Sequence, residues 1–366
     1  MSPQVGLVGL PNVGKSTLFN ALTQAGVAVA PYPFTTIDPN RGVATVPDRR
    51  LEALARLVGP ERVTPATVEF VDIAGLVRGS HQGEGLGNRF LAHIRQVDAV
   101  VIVCRCFEDS DVAHVAGRVD PLDDLAVLDL ELIMADLGTV QRRLERTRTA
   151  SKARPKEAAG ELALLGDLES ALQAGKRAAF WAAQGEAEAA LVRELFLLTA
   201  KPRLYVANVA EESLPDGGPW AAALQEMAAA EGAQCVVLCA QMEADLAGWP
   251  PAEAAEYRAA VGLERSGLEA LVWAGYRALD LISFFTIVGG QVVRAWSVRR
   301  GATAPEAAGR VHTDMERGFI RAEVIPWQQL LQAGGWNAAR ERGLIHTEGR
   351  DYVVQDGDVC FFRFNP

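Results

Sequence analysis

The chain has 366 residues, of which 49% are hydrophobic and 22% charged, and its formal net charge is -10. This length allows two or three domains with cores of their own, and the acidic balance argues against a protein that coats nucleic acid, so we expect no DNA partner. No run of about 18 apolar residues occurs, and no basic segment precedes the apolar N-terminal run, so we expect a cytoplasmic protein without a membrane span or secretion signal.

The N-terminal part alternates between apolar strands and helices. The segment QVGLVGL is a short apolar strand, and GKSTLFNALTQAG has the pattern of an amphipathic helix. The runs ATVEFVDIAGL, DAVVIVCRCF, PRLYVANV and AQCVVLCA are too apolar for strands with one solvated face. This alternation predicts an α/β fold with a doubly wound, mainly parallel sheet that helices cover on both faces.

The segment from Asp120 to about Ala200 shows no strand pattern. Apolar residues there step by three and four positions, like the contact line of a short coiled coil, at Leu130, Ile133, Leu137, Val140 and Leu144. After a charged stretch a similar spacing resumes at Leu165, Leu168 and Leu172. We predict a helical hairpin inserted into the sheet domain, with too few heptads for a long coiled coil.

From about Leu281 the pattern changes to short β-rich runs. SFFTIVGGQVVRAWSV predicts a hairpin around Gly289-Gly290, and GRVHTDMERGFIRAEVI and RDYVVQDGDVCFFRF predict further short strands. WQQLLQAGGWNAARERG between them predicts helix, which completes a small α+β domain with a mixed sheet. The predicted domains are therefore residues 1–120 with 200–280, residues 121–199, and residues 281–366.

The chain has an odd number of cysteines, five, and four of them lie in apolar strand-like runs. In a cytoplasmic chain of this size a disulfide framework is not expected. Cys104-x-Cys106 lacks a second pair with the spacing of zinc ligands, so we expect packed, reduced thiols.

The segment GLPNVGKS, Gly9 to Ser16, matches the phosphate-binding pattern G-x-x-x-x-G-K-S between a predicted strand and a predicted helix. The glycines let the backbone aim N–H groups at phosphate oxygens, and the start of the helix adds positive potential. Lys15 is expected to reach the β- and γ-phosphates, and the Ser16 hydroxyl to ligate Mg²⁺. The expected phosphate contacts are Asn12, Val13, Gly14, Lys15, Ser16 and Thr17.

Two further segments complete the expected metal and γ-phosphate site. Asp72 ends an apolar strand in a D-x-x-G pattern, so its carboxylate is expected to hold Mg²⁺ through water, and the Gly75 N–H to meet the γ-phosphate. Thr36 is the candidate for a second hydroxyl ligand, with Thr35 as the alternative and a turn-forming role open for both. The metal-site residues are thus Ser16, Thr36 and Asp72, and the glycine-rich loop after Asp72 is expected to act as a switch.

The base site departs from the GTPase pattern Asn-Lys-x-Asp, because the chain has Asn208-Val209-Ala210-Glu211. Glu211 is one methylene longer than the aspartate that takes two donors from guanine, and Val209 replaces the lysine that packs on the base. Without this paired contact the site loses its main discrimination for guanine. We therefore expect ATP to bind more tightly than GTP. Asn208 is left to bond the base or to brace the phosphate loop, and Ala240 falls where a second base-contacting loop is expected. A plain strand end and turn is the ordinary alternative.

Together these motifs resemble the YchF/Obg-like ATPase family, a branch of the Obg GTPases, over nearly the whole chain. The similarity rests on GLVGLPNVGKSTLFNAL, PFTTIDPN, EFVDIAGLVRG, GEGLGN, NVAE and the C-terminal RAWSVRRGATAPEAAGRVHTDMERGFIRAEVI and DYVVQDGDV. It implies a P-loop G domain, a helical insertion and a C-terminal TGS domain of the β-grasp type. It also implies preference for ATP, slow hydrolysis and association with ribosomes. Family members often carry cysteine where this chain has Thr35.

The residue that positions the attacking water must differ from that of Ras-like enzymes, since Leu76 stands where those enzymes place glutamine. Asn12 could hold a potassium ion against the phosphates, as related GTPases do. Of two loop histidines, the resemblance favours His114 over His81, although an ordinary loop or core role is open for both. The candidate catalytic residues are therefore His114, Asn12 and Gly75.

The C-terminal part interleaves arginine with aromatic residues, a composition suited to RNA backbone and splayed bases. The residues are Arg294, Arg299, Arg300, Arg310, Arg317 and Arg321, with Trp296, His312 and Phe319. The alternative is a half-solvated sheet face with ion pairs to Glu306, Asp314, Glu316 and Glu323. The resemblance favours ribosome or ribosomal RNA as the partner.

These features predict a monomeric ATP-hydrolysing switch that docks on the ribosome. Two alternatives stay open: a GTP-specific Obg-type GTPase, and a ribosome- or RNA-binding module that nucleotide controls and whose turnover is incidental. A small-molecule kinase is disfavoured, because no lid or acceptor pocket is recognisable.

Overall fold

The computed structural model describes residues 3–24, 40–73, 86–109, 117–150 and 155–365. The chain forms two compact units, which are described separately. The first unit comprises Pro3–Gly42 and Glu69–Leu271, and the second comprises Val43–Val68 and Val272–Pro366. Within the described ranges, no helix is long and apolar enough to cross a membrane.

The first unit is built on a sheet of six strands. Their spatial order is β2 (Asn40–Thr45), β4 (Thr67–Asp72), β1 (Gln4–Val8), β5 (Ala99–Cys106), β6 (Arg203–Val209) and β7 (Gln234–Leu238). β1 is parallel to β4 and β5, and β6 is parallel to β5 and β7. Every residue of β5 is buried, as expected for a central strand covered on both faces. The predicted α/β fold with a mainly parallel sheet is confirmed.

Helices connect these strands, and two of them begin at the predicted nucleotide-binding edge of the sheet. They are α1 (Lys15–Gln24), α3 (Leu86–Gln96), α8 (Gly218–Ala230), α9 (Ala240–Leu246), α10 (Pro251–Ala260) and α11 (Gly267–Ala278). α1 follows β1 directly, and α9 follows β7, so both helices begin at the carboxyl ends of parallel strands. Ligands in open α/β sheets bind at that edge.

The predicted helical hairpin is present as α4 (Pro121–Ala150) and α5 (Pro155–Gln173). The helices are antiparallel, since Gln141 bonds to Glu169 at 3.0 Å and Arg143 to Glu161 at 2.8 Å. The segment ends with α6 (Ala178–Ala182), α7 (Glu186–Glu194) and a 3₁₀ turn at Leu198–Ala200. The buried core of the pair contains Ile133, Val140, Leu144, Leu165, Leu168 and Leu172.

The predicted contact line is wrong at its first member, because Leu130 is 58% exposed. The first half of α4 packs against the sheet rather than against α5. Its buried residues Leu125, Leu128 and Leu132 belong to the core cluster of that sheet. That orientation leaves Leu130 on the outer side of the helix.

The second unit contains a mixed sheet, as predicted. Its strand order is β11 (His346–Glu348), β10 (Phe319–Pro326), β12 (Asp358–Phe364), β8 (Leu281–Val288), β9 (Val292–Arg299) and β3 (Arg62–Thr64). β8 and β9 form the predicted antiparallel hairpin, whereas β12 is parallel to β8 and β3 is parallel to β9. The predicted helix between the last strands is confirmed as α14 (Trp327–Ala333) and α15 (Trp336–Glu341).

Two strand predictions in this unit are wrong. The segment GRVHTDMERG lies in α12 (Ala304–Val311) and α13 (Thr313–Arg317), and RDYVV contributes only an isolated bridge between Val353 and Thr303. Thr303 and Glu306 form a capping box at the start of α12, and Pro305 lies in its first turn. This start signal for a helix outweighs the β-rich composition nearby.

Residues 43–68, which the sequence placed with the first domain, cluster with the C-terminal residues. They contribute β3 and α2 (Arg49–Val58) to the second unit. The Arg50 guanidinium pairs with Asp356 at 2.9 Å and lies 5.5 Å from the ring centre of Phe285. Partners so distant in sequence give no local signal. The division into domains 1–120 with 200–280, 121–199 and 281–366 stays a prediction, as does the TGS assignment.

The cysteines are free thiols, as predicted. Four are buried and Cys235 is half-buried. Burial raises the pKa of Cys106 to about 12 and that of Cys104 above its ordinary value. These thiols therefore act as packed apolar groups.

Candidate nucleotide-binding site

The loop from Gly9 to Gly14 joins β1 to α1 and passes close to the sheet. A Cβ atom on Gly9 would lie 2.7 Å from the carbonyl oxygen of Val103 and 2.9 Å from a methyl of Val13. Gly14 has φ +88 and faces the amide nitrogen of Asn208. Only glycine fits both conditions, so the two glycines set the path that presents N–H groups at the start of α1.

Lys15 and Asp72 meet at the carboxyl ends of β1 and β4. Asp72 is the register partner of Leu7, so the sheet places it beside the start of the phosphate loop. The Lys15 ammonium pairs with the Asp72 carboxylate, and both side chains are largely buried, with 10% and 13% exposed. A phosphate that reaches Lys15 must therefore share or displace this contact.

Two of the residues predicted for Mg²⁺, Ser16 and Asp72, lie among the described residues and fit that ion in donor type. Asp72 provides a carboxylate, and the exposed Ser16 in the first turn of α1 provides a hydroxyl. Hard oxygen donors of this kind suit Mg²⁺, which keeps several waters and takes few protein ligands.

Asn208 braces the site. It is the second-last residue of β6 and is 4% exposed. Its side-chain nitrogen donates to the carbonyl of Val13 at 2.9 Å, and its side-chain oxygen accepts from the Ala240 N–H at 2.9 Å. Of the two roles that the sequence left open, the structure supports bracing, because both ends of the amide are engaged. Asn208 thereby joins the phosphate loop to the start of α9.

Val209 is buried in the core of the sheet, whereas Glu211 lies in the turn that follows the strand. The Val209 side chain is 2% exposed and belongs to the core of the sheet, so it presents no surface on which a base could pack. Glu211 starts a 3₁₀ turn, Glu211–Ser213, and its carboxylate accepts a hydrogen bond from the hydroxyl of Tyr257 on α10. This bond raises the pKa of Tyr257 above its ordinary value.

Helix α10 is fixed against the base loop by packing and by a buried ion pair. Arg258 pairs with Glu243 of α9 at 3.0 Å, and the Glu243 side chain is fully buried. An apolar cluster joins the two helices to the turn after Glu211, through Leu214, Cys239, Met242, Leu246 and Ala254. No sequence motif marks Tyr257, Arg258 and Glu243, and only the fold brings them to this corner.

The other described residues of the phosphate half are Asn12 and Thr17, whose contacts with phosphate stay predictions. Asn12 has φ +64 at the tip of the loop, and Thr17 is half-buried in the first turn of α1. Three candidate residues lie outside the described residues: Thr36 with its alternative Thr35, Gly75, and His114 with its alternative His81. Leu76 also lies outside them.

One buried residue not singled out from the sequence holds the chain after β5. The Arg105 side chain donates to the carbonyls of Phe107 at 3.1 Å and Asp109 at 3.3 Å. Its guanidinium also lies 4.7 Å from the ring centre of Phe107. These contacts fix the path of residues 107–109 beyond the central strand.

The second unit carries the predicted combination of arginine and aromatic surfaces. Arg294 stacks on Trp296 at 3.7 Å from the ring centre, and Arg363 on Phe361 at 4.6 Å. Two of the predicted acidic partners have different roles. Glu323 forms an ion pair with Arg340 at 2.6 Å, whereas Glu306 accepts a hydrogen bond from the Thr303 N–H as part of the helix cap. Arg363 also pairs with Glu323, at 3.4 Å, so of the two stacked arginines only Arg294 lies apart from this carboxylate.

Two family models match the chain. Residues 4–134 match MMR_HSR1, described as a 50S ribosome-binding GTPase. Residues 281–365 match YchF-GTPase_C, described as a protein of unknown function (DUF933).

Similar proteins match over the full length of the chain. Proteins named Ribosome-binding ATPase YchF from Bacillus subtilis and Haemophilus influenzae are 48% and 49% identical, over 100% of this chain and of each relative. The YchF GTPase of Schizosaccharomyces pombe is a solved structure with a TM-score of 0.86 and 34% identity, covering 99% of this chain and 98% of that one. With its phosphate loop, its altered base motif and these relatives, the chain belongs to the YchF family.

Proposed function

We propose that the protein is an ATP-binding, slowly ATP-hydrolysing switch that docks on the ribosome. The observation that carries the choice of nucleotide is the base corner. Glu211 stands where a GTPase has aspartate, and the buried Val209 stands where it has lysine. The names of the curated relatives, Ribosome-binding ATPase YchF, support the same activity and partner.

The phosphate half would hold the triphosphate with Mg²⁺. Lys15 would neutralise phosphate oxygens, and backbone N–H groups at the start of α1 would surround them. Ser16, Asp72 and Thr36 would hold the ion, which supplies charge neutralisation at the phosphates when it is bound. Asn208 would keep the loop in shape by its bond to Val13.

Slow turnover follows from the residue after the D-x-x-G segment, since Leu76 cannot orient water. A potassium ion near Asn12, the Gly75 N–H and the imidazole of His114 are the groups proposed to stabilise the reaction. Without a partner that completes this arrangement, we expect turnover far below that of an activated GTPase. We further propose a cytoplasmic monomer that binds neither DNA nor membranes.

Competition between ATP and GTP for the purified protein tests the proposal. Calorimetry with Mg²⁺ in K⁺ buffer, repeated in Na⁺ buffer, gives both affinities and the effect of the monovalent ion. Tighter binding of ATP supports the proposal. GTP binding at least about tenfold tighter would assign the protein to the GTP-specific alternative.

The arginine–aromatic surface of the second unit is the proposed contact for ribosomal RNA. Arg294 on Trp296 and Arg363 on Phe361 offer flat cationic faces of the kind that stack on unpaired bases. This surface also favours the second candidate, an RNA-binding module whose nucleotide turnover is incidental.

Cosedimentation with ribosomes separates these possibilities. Arg294→Gln is expected to weaken the association, whereas Arg193→Gln, an exposed arginine of α7 in the other unit, is the matched control. If His114→Ala removes turnover but leaves ATP-dependent cosedimentation intact, the module is favoured. If Arg294→Gln and its control behave alike, this surface is not the contact.

A further inference from the structure

We infer that Tyr257 is a specificity-determining residue, whose hydroxyl holds the Glu211 carboxylate away from the paired hydrogen bond that guanine requires. This inference rests on the proposed function, because it concerns the same base corner. It assigns the preference for ATP to a contact between Glu211 and α10, in addition to the length of the glutamate side chain.

The contact acts on the atoms that would read guanine. Guanine offers two donors, N1–H and the exocyclic amine, and both must meet the two oxygens of one carboxylate. The Tyr257 hydroxyl donates to one of these oxygens, Oε1 of Glu211. A carboxylate oxygen has a second lone pair, so the hydroxyl does not abolish binding of guanine. It fixes the orientation of the carboxylate and competes with one donor.

Tyr257 is held in place by the packing of its helix. Arg258, the next residue, pairs with the buried Glu243 of α9, and Ala254, one turn earlier, packs in the apolar cluster of the base loop. The ring of Trp249 meets that of Tyr257 edge to face, with 5.6 Å between ring centres. The helix thus fixes the backbone of Tyr257 and Trp249 contacts its exposed ring, and this arrangement presents the hydroxyl to Glu211.

The electrostatics keep the phenol in the donating form. The hydrogen bond to Glu211 raises the pKa of Tyr257, and the nearby Asp245 acts in the same direction. Adenine has no N1–H donor, so its binding does not require a paired hydrogen bond to the two carboxylate oxygens. The contact therefore penalises guanine and leaves adenine unaffected.

Inosine triphosphate (ITP) provides the sharpest probe, because it carries the N1–H of guanine but lacks the exocyclic amine. The experiment measures binding of ATP, GTP and ITP to the full chain with Mg²⁺, for wild type and Tyr257→Phe. We expect wild type to bind GTP and ITP within about twofold of each other, because only one donor is met. In Tyr257→Phe we expect GTP to gain about fivefold over ITP, with ATP unchanged.

Two further variants separate specificity from structure. In a Glu211→Gln background, Tyr257→Phe should no longer change the ratio of GTP to ITP affinity. Tyr352→Phe removes a similar hydroxyl-to-carboxylate bond, to Asp358 in the other unit, and is the matched control. Loss of all three nucleotides together in Tyr257→Phe would mean that the residue is only structural, and the inference would fail.

The outcomes also distinguish this inference from the proposed function. If wild type prefers ATP but the ratio of GTP to ITP affinity is the same in Tyr257→Phe, only the role of Tyr257 is overturned. If wild type prefers GTP, the proposed choice of nucleotide itself is wrong.

Discussion

The phosphate half and the base half of the site are built in different ways. The phosphate half is almost contiguous: Gly9 to Ser16 lie in one loop and one helical turn, and the neighbouring strand adds Asp72. The base half draws on three separate segments, which meet through Asn208, Ala240 and the bond between Glu211 and Tyr257. The phosphate half offers mostly backbone N–H groups to a ligand, whereas the base half offers mostly side chains.

This difference has a consequence for specificity. Backbone N–H groups bind any nucleoside triphosphate, because every such ligand has the same phosphates. Discrimination between bases needs side chains in fixed positions, and we propose that Tyr257 of α10 is one of them. Changes in the phosphate half should therefore affect ATP and GTP alike, whereas changes in the base half should affect their ratio.

The largest effect is expected for Lys15→Ala. Removing the ammonium should weaken ATP and GTP equally, by about 100-fold, because a charged contact to phosphate is lost. Titration calorimetry measures both affinities, and Lys176→Ala, at an exposed lysine, is the control. A loss confined to one of the two nucleotides would break the distinction between the halves.

Asn208→Ala should damage both halves and the fold. The variant leaves the Val13 carbonyl and the Ala240 N–H without their partner, which should lower the free energy of unfolding by about 2 kcal/mol. Denaturant unfolding measures this change. Asn20→Ala, on the exposed side of α1, should stay within about 0.5 kcal/mol of wild type. Equal stability of the two variants would show that Asn208 is no brace.

Glu211→Asp should change only the ratio of the affinities for ATP and GTP. The shorter carboxylate no longer reaches Tyr257 and matches the GTPase aspartate, so the preference should shift toward GTP by about tenfold. Competition between ATP and GTP measures the shift. The neighbouring exposed Glu212→Asp is the control and should leave the ratio unchanged.

The smallest effect concerns the titration of Tyr257. Its pKa in the folded protein is raised by the bond to Glu211, so the stabilisation from this bond is present below about pH 10 and is lost as pH rises through the higher folded pKa. Ultraviolet difference titration of wild type against Tyr257→Phe isolates this phenol. Glu211→Gln should lower its pKa toward the ordinary value; an unchanged pKa in that variant would remove Glu211 as the cause.

How far the sequence predicts this protein varies with the element. The parallel sheet, the helical hairpin and the hairpin around Gly289-Gly290 follow from apolar periodicity and turn residues. The strand prediction for residues 309–317 is wrong because the capping signal at Thr303, ahead of that segment, starts a helix despite the β-rich neighbours. Residues 43–68 cluster with the C-terminal residues because the partners of α2, such as Asp356, are remote in the chain, and no local pattern predicts such contacts.

The sequence by itself determined the phosphate loop, since its glycines and Lys15 act through local backbone geometry that a short motif encodes. It also marked the altered base motif at Asn208 to Glu211. Only the tertiary structure decided what those residues do: Asn208 braces two loops, Val209 is buried, and Glu211 is engaged by Tyr257. The physical reason is that a side chain's partners depend on which segments the packed helices bring together, and no local pattern specifies them.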